Sequence, residues 1–317
     1  EGQDRIAEAF AAYTSKGETL KRLHAPRFAA EQRLVDRVNT LSAHLEAMPG
    51  ARWTAQNALP DPEAPLSHIF LMGFIRSGTT LLERVLLTQK NMARIEERET
   101  LRDTIPQYFS EPSGLERLAD ATPDMLAQAR AVYWRRVRDY GVDPEGKIVL
   151  DKQPLNTMYL PLIRRMFPQA KILFAIRDPR DILLSVFKRY FEVNYITYEF
   201  LALNDIARFY GAVMRWSEVC RARMSFNLHE HRYEDMIADF DARTRAVCDF
   251  LGLEWTDAMR DFSGRAQEET IRSPSAAQVR RPLYKEGMGQ WRRYEQQLAP
   301  ALPILAPWLK RFGYSGG

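Results

Sequence analysis

The chain has 317 residues, 45% of them hydrophobic and 27% charged, which is the balance of an ordinary globular protein. Its formal net charge of +4 is too small to indicate a nucleic-acid-binding surface. Because no apolar run is long enough to span a membrane, the charged N-terminus lacks a secretory pattern and two cysteines form no disulfide framework, we expect a cytoplasmic protein.

Residues 1–48 are predicted to be helical, because apolar side chains recur at helical spacing in two stretches. These positions are Ile6, Phe10, Tyr13, Leu34, Val38, Leu41 and Leu45. The proline-rich segment 58–65 then leads into the first predicted strand. We therefore predict a helical N-terminal extension with its linker at 1–65 and a separate domain at 66–317.

The stretch 68–83 reads H-I-F-L-M-G-F-I-R-S-G-T-T-L-L-E and predicts a buried strand, a glycine-bounded turn and the start of a helix. This geometry presents backbone N–H groups and the positive end of a helix dipole to an anion. An ordinary strand-to-helix turn is the alternative, but the side chains favour phosphate binding. The groups that would contact the phosphate are Arg76, Ser77, Gly78, Thr79 and Thr80. Thr79 occupies the position where nucleotide triphosphatases have a lysine, which argues against ATP or GTP hydrolysis.

Four more strands are predicted beyond this turn, and helical patterns separate them. They lie at 93–96, 147–150, 170–176 and 226–229. The helical patterns lie at 114–139, 156–167, 199–224 and 239–251. This alternation predicts an α/β fold with a parallel sheet, in which ligands bind at the carboxyl ends of the strands.

Charged residues follow two of these strands at that edge. Glu96, Glu97 and Glu99 end the second strand, and Lys152 follows the third. A run of carboxylates is commonly a solvated turn, and a loop lysine is commonly solvated too. The position of Lys152 directly after a buried strand favours a place in the ligand crevice.

The fourth strand is followed by R-D-P-R-D, beginning at Arg177. Asp178 is a suitable N-cap, and Pro179 fits the first helical position. Ser185 lies seven residues beyond the cap, which is two helical turns, so it returns to the same face. A plain helix start would explain the Asp-Pro pair alone, whereas the register of Ser185 favours a second phosphate site.

Three segments together resemble the PAPS-dependent sulfotransferases. The segment I-R-S-G-T-T-L-L-E resembles the 5′-phosphosulfate loop of that family. The strand I-L-F-A-I with R-D-P-R-D-I-L-L-S resembles its 3′-phosphate motif, including the step from Arg177 to Ser185. Tyr233, in R-Y-E-D, resembles the tyrosine that lies by the adenine. The resemblance covers about 69–291 and is strongest to a bacterial branch often fused to tetratricopeptide repeats, then to tyrosylprotein sulfotransferases.

The resemblance implies a P-loop-like central parallel sheet flanked by helices, and it assigns residues 66–317 to a sulfotransferase domain. PAPS would be the co-substrate and PAP the product, with no metal. Arg76 and Lys152 would stabilise the transferred group, and Glu97 would be the base, since its distance from Arg76 matches that in tyrosylprotein sulfotransferases. The segment S-A-A-Q-V-R-R-P would place Ser275 near the phosphosulfate and Arg281 near the cofactor, within a lid at 272–291.

This chain departs from the family pattern at three points. Ile75 replaces a proline, Gln153 replaces the Leu or Asp that the family has between its lysine and proline, and the glycine usual before the base is absent. The third departure leaves Glu96 and Glu99 open as alternative bases.

The identity of the acceptor stays open at this stage. Peptidyl tyrosine is one candidate acceptor, and a glycan or a small phenolic or alcohol metabolite is another. A catalytically inactive PAP-binding protein is the alternative of another class. We expect no nucleic-acid partner and no membrane span. The oligomeric state is left open, with a homodimer as one option.

Overall fold

A computed structural model describes residues 5–53, 61–262 and 287–314. The chain forms two compact units. The first contains Glu1–Ser42, Arg177–Trp216 and Lys285–Gly317, and the second contains Ala43–Ile176 and Ser217–Tyr284. Within the described ranges, no helix combines the length and the apolar character needed to cross a membrane. The predicted domain boundary after residue 65 stays a prediction.

The second unit is built on five parallel strands, which confirms the predicted fold class. The strands are β1 (Ser67–Gly73), β2 (Met92–Glu96), β3 (Ile148–Lys152), β4 (Lys171–Ile176) and β5 (Asn227–Arg232). Their order is β2-β3-β1-β4-β5, so β1 is the central strand. All five carboxyl ends therefore lie at one edge of the sheet.

Helices connect the strands, as the sequence pattern predicts. In chain order the described helices are α1 (Ile6–Phe28), α2 (Leu34–Ala47), α3 (Thr79–Leu86), α4 (Ile105–Phe109), α5 (Ser113–Ala119), α6 (Pro123–Asp139), α7 (Leu160–Met166), α8 (Pro179–Lys188), α9 (Leu203–Arg223), α10 (Tyr233–Ala238), α11 (Phe240–Leu251), α12 (Glu295–Leu298) and α13 (Leu302–Arg311). Short 3-10 segments lie at Gly50–Trp53, Pro154–Tyr159, Thr197–Phe200, Asp257–Met259, Gln290–Tyr294 and Ala299–Ala301.

Strand β3 extends two residues further than its apolar run. Asp151 and Lys152 continue the ladder, because they lie opposite Phe70 and Leu71 of β1. The prediction that these two residues follow the strand is therefore wrong. The backbone pairs on both sides of β3, and that pairing outweighs the low strand propensity of two charged side chains.

An aromatic cluster fills one side of the sheet beside β1. His68 lies 4.3 Å from Phe70, 4.9 Å from Trp134 and 4.7 Å from Phe167, between ring centroids. Burial lowers the pKa of His68 to about 3, so this histidine is a neutral core residue. The cluster holds α6 and the turn before β4 against the central strand.

The first unit contains the N-terminal helices together with α8, the start of α9 and the C-terminal helices. Gly17 of α1 lies against the backbone of Leu201, where a Cβ atom would be 2.0 Å from the carbonyl oxygen. Arg33 donates two hydrogen bonds to Glu199, of 3.0 and 2.5 Å. A close backbone contact and a forked ion pair therefore anchor the N-terminal helices.

Candidate active site

The loop 73–78, which we call the phosphate loop, joins β1 to α3 and requires glycine at both ends. Gly73 has a φ of +153°, and a Cβ atom there would lie 2.4 Å from the carbonyl oxygen of Ala175. Gly78 has a φ of +94°, and its Cβ atom would lie 2.5 Å from Cδ2 of Tyr233. Between them, Arg76 adopts a φ of +68°, which is uncommon for a residue with a side chain.

The phosphate loop offers buried polar groups at a helix N-terminus. Thr79 and Thr80 are the first two residues of α3, whose N-terminus is the positive end of the helix dipole. The hydroxyl oxygen of Ser77 is buried and has no hydrogen-bond partner among the described residues. Thr157 donates a 2.8 Å hydrogen bond to the carbonyl of Gly73 and so fixes the entry to the loop. An orphaned hydroxyl beside a helix N-terminus fits an anionic group.

Lys152 is the centre of a charge cluster at the carboxyl edge of the sheet. Its ammonium is fully buried and lies 2.8 Å from Glu97 Oε1, 3.5 Å from Glu83 Oε2 and 3.7 Å from Glu96 Oε1. The strand register explains one of these contacts, because Glu96 lies directly opposite Lys152 on β2. A buried ammonium needs such partners, since burial without them disfavours the charged form.

Of the three carboxylates proposed from the sequence, Glu97 has the most defined position. Its backbone N–H donates a 2.8 Å hydrogen bond to the carbonyl of Lys152, and its φ is +49°. Its side chain is 28% exposed, so solvent or a substrate can reach it. Glu96 is almost completely buried, and Glu99 points outward and pairs with Arg102 at 3.8 Å.

Glu83 belongs to the same cluster but was not identified from the sequence. It lies in the second turn of α3, is completely buried, and accepts no hydrogen bond from any described residue. Burial raises the pKa of Glu83 to about 7, and Glu96 adds to the rise while Lys152, Arg84 and Arg94 oppose it. The signal that could have indicated it is a carboxylate in the helix that directly follows the phosphate loop.

A second buried network supports the loop that carries Glu97. Asp151 accepts hydrogen bonds from Thr100 (2.7 Å) and from the hydroxyl of Tyr133 (2.9 Å). His68 lies 2.9 Å from the same tyrosine oxygen. Burial raises the pKa of Asp151 to about 6, and the bonds from Thr100 and Tyr133 oppose that rise. Asp151, which directly precedes Lys152 on β3, thus holds the loop after β2 through its bond from Thr100.

Arg177 and Ser185 belong to the first unit. Asp178 caps α8 as predicted, because its carboxylate accepts a 2.9 Å bond from the backbone N–H of Arg180. Arg177 is buried and donates to the carbonyl of Gly287. Ser185 is half-buried on α8.

The start of α8 is also held by the chain after residue 286. Asp181 accepts bonds from the backbone N–H groups of Gly289 (2.7 Å) and Trp291 (3.0 Å). These residues form the described end of the predicted lid at 272–291. Ser275 and Arg281 lie outside the described residues.

Tyr233 is buried at the start of α10 and packs against Gly78. The second unit therefore brings together the phosphate loop, Glu97, Lys152 and Tyr233. Within the described part of the chain, no three His, Cys, Asp or Glu side chains are grouped so as to hold a metal ion.

Three kinds of comparison relate the chain to known proteins. The model of the Sulfotransferase family matches residues 68–257. An uncharacterised protein of Aquifex aeolicus (strain VF5) is 28% identical over 260 residues, which cover 77% of this chain and only 33% of that protein. Protein-tyrosine sulfotransferase 1 of Danio rerio is 24% identical over 258 residues, covering 78% of this chain and 72% of that protein.

Among solved structures, the sulfotransferase domain from the Synechococcus PCC 7002 olefin synthase is similar. It matches with a TM-score of 0.50 at 20% identity, covering 78% of this chain and 98% of that chain. This likeness concerns the fold. The family match covers β1 to β5, and so includes the phosphate loop, Glu97, Lys152, Arg177 and Tyr233.

Proposed function

Since the chain belongs to the sulfotransferase family, we propose that it transfers a sulfuryl group from PAPS to an acceptor hydroxyl and releases PAP. The observation that carries the proposal is the contact of 2.8 Å between Lys152 and Glu97 at the edge of the sheet where the phosphate loop begins. A cation that stabilises a leaving oxygen and a carboxylate that accepts a proton are the two groups that this transfer needs.

In the proposed reaction the acceptor oxygen attacks sulfur, and the bond from sulfur to the 5′-phosphate oxygen of PAPS breaks. The acceptor proton passes to Glu97, whose partly exposed carboxylate is reachable by a bound hydroxyl. Lys152 and Arg76 stabilise the negative charge that develops on the leaving phosphate oxygen and on the sulfuryl oxygens. By analogy with phosphoryl transfer, positioning and charge stabilisation supply most of the acceleration.

The phosphate loop would hold the 5′-phosphosulfate through the N–H groups of α3 and the hydroxyls of Ser77, Thr79 and Thr80. The orphaned hydroxyl of Ser77 supports this assignment, because a buried polar group without a partner is costly unless a ligand satisfies it.

The remaining cofactor contacts are assigned by resemblance. Arg177 and Ser185, in the first unit, would bind the 3′-phosphate, and Tyr233 would lie by the adenine. Ser275 is proposed beside the transferred group and Arg281 beside the cofactor. None of these roles requires a metal ion.

Peptidyl tyrosine is our first choice of acceptor. The similarity to Protein-tyrosine sulfotransferase 1 of Danio rerio supports this choice over a glycan or a small phenolic or alcohol metabolite. The proposed enzyme would act on a phenolic hydroxyl, and we expect it in the cytoplasm, as the sequence predicts.

The proposal is tested by incubating the purified protein with sulfur-35-labelled PAPS and a panel of tyrosine peptides, glycans and small phenols. We expect label on at least one acceptor and stoichiometric release of PAP, both lost in Glu97→Gln. Tight PAP binding with no transfer to any acceptor would instead favour the inactive PAP-binding protein. Absence of PAP binding would contradict both.

A further inference from the structure

Lys152 contacts more carboxylates than the proposed reaction requires. One base, Glu97, lies at 2.8 Å, yet Glu83 lies at 3.5 Å on the other element that reaches the ammonium, helix α3. Glu83 is completely buried and accepts no hydrogen bond from the described residues. A buried carboxylate without a hydrogen-bond donor is costly, so its position beside Lys152 calls for a physical reason.

The charges facing Glu83 come from three elements. Lys152 lies on β3, Glu96 and Arg94 lie on β2, and Arg84 follows Glu83 on α3. Arg84 Nη2 is itself 3.8 Å from Glu96 Oε2, so those two side chains form a pair. Glu96 is therefore shared between Arg84 and Lys152, whereas Lys152 is the only cation within 4.0 Å of Glu83 among the described residues.

The proposed reaction changes the charge of the other partner of Lys152. When Glu97 accepts the acceptor proton, its carboxylate becomes neutral and no longer stabilises the ammonium. A fully buried ammonium that loses its main counter-ion is driven towards the neutral amine, which cannot stabilise the leaving oxygen. The charge of Lys152 is therefore needed most at the moment when its pairing with Glu97 is weakest.

We propose that Glu83 is a positioning residue, a second counter-ion that keeps Lys152 charged and in place while Glu97 holds the acceptor proton. This inference rests on the proposed function, because only that reaction protonates Glu97. Glu83 does not touch the substrate and transfers no proton. It acts through Lys152 alone. Because burial raises the pKa of the Glu83 carboxyl to about 7, it serves as a counter-ion above that pH, which is the range where an unpaired Lys152 would lose its proton.

The pairing can be measured without catalysis. Glu97→Gln imitates the protonated base, and NMR of carbon-13-labelled lysine reports the protonation of Lys152, with Lys152→Arg identifying the signal. We expect Glu97→Gln alone to keep most of the ammonium protonated. Adding Glu83→Gln should raise the neutral fraction of Lys152 at a fixed alkaline pH by about tenfold or more, because an opposite charge this close shifts a proton equilibrium by about one to three powers of ten.

The matched control is Glu145→Gln, which removes an exposed carboxylate on the turn before β3. It should leave the Lys152 signal unchanged. An equal neutral fraction in Glu97→Gln and in the double variant would overturn the proposal.

Catalysis gives the second measurement. Glu83→Gln in the otherwise unchanged protein should lower kcat about tenfold or more and move the alkaline limb of the pH–rate profile to lower pH. KM for PAPS should change less than kcat. An alkaline limb that stays in place would show that Glu83 has only a structural role.

Glu83→Asp keeps the charge and should lie between the natural protein and Glu83→Gln in kcat and in the position of the alkaline limb. If Glu83→Gln does not fold, the Asp variant is compared with the natural protein alone and should keep the alkaline limb near its natural position. If the Asp variant is as impaired as the Gln variant, shape rather than charge matters and the proposal fails. Absence of sulfate transfer by the natural protein would count against the proposed function alone, because the NMR comparison decides the pairing independently.

Discussion

When Glu83 is replaced by glutamine, the free energy of unfolding relative to that of the natural protein should increase as the pH rises. The carboxyl is completely buried, and burial raises its pKa to about 7 from an ordinary value of 4.5. The folded protein therefore binds this proton more tightly than the unfolded chain does. Such a group contributes stability that is fully present below pH 4.5 and is lost as the pH rises through 7. Glutamine has no proton to lose and removes that decline.

The magnitude follows from the two pKa values. The difference of about 2.5 corresponds to about 3 kcal/mol in total at about 1.4 kcal/mol per unit. Between pH 5 and pH 8, the free energy of unfolding of Glu83→Gln minus that of the natural protein should rise by about 2.5 kcal/mol. Any loss of packing adds a constant to this difference and leaves its slope unchanged.

Urea unfolding followed by circular dichroism at half-unit steps of pH measures this difference. Glu145→Gln is the control, because that carboxylate is exposed and should give a flat difference. A flat difference for Glu83→Gln as well would refute the reasoning, since it would mean that Glu83 titrates alike in the folded and unfolded chain.

Four further outcomes are expected. Glu97→Gln should lower turnover at least a hundredfold, within the general-base range of about 10²–10⁴, with PAP affinity unchanged; retained activity would move the base to a neighbour. Arg177→Ala should weaken the binding of PAP far more than the binding of the analogue that lacks the 3′-phosphate. Equal loss of affinity for both ligands in calorimetry would show that Arg177 has only a structural role. PAP should bind in EDTA, and a strict need for Mg²⁺ would contradict the metal-free site. Gly78→Ala should lower the free energy of unfolding by about 1–3 kcal/mol more than Gly146→Ala does, as measured by urea unfolding. Both glycines have a positive φ, but only Gly78 lies against Tyr233. Equal losses in the two variants would contradict this close approach.

The architecture was predictable because each strand carries its own signal. The apolar run of β1 between a proline-rich linker and the phosphate loop indicates a buried strand, and its neighbours alternate with helical patterns. The cap of α8 was predictable for the same local reason, since Asp178 begins that helix through its own side chain. The end of β3 was not predictable from the sequence, because Lys152 is held in the ladder by pairing with strands that are distant in the chain.

The candidate site was predictable as a set of residue types but not as a set of contacts. The sequence indicates Lys152 and Glu97 by their positions at strand ends. It does not indicate Glu83, since the face of α3 that meets Lys152 depends on how the helix packs on the sheet. The network of Thr100, Tyr133 and Asp151 is likewise formed by three separate elements, and no local pattern predicts it.

Burial differentiates three chemically identical side chains around one ammonium. Exposure rises from 0% for Glu83 to 5% for Glu96 and 28% for Glu97, while the distance to Lys152 is shortest for the most exposed of them. A base must meet an incoming hydroxyl, and Glu97 is the most exposed of the three, which supports its proposed role. Glu96 is occupied by Arg84 as well as by Lys152, because it lies between the two cations. In the proposed mechanism Glu83, which is completely buried, would act through Lys152 alone, and the cluster would separate proton acceptance from charge maintenance by depth.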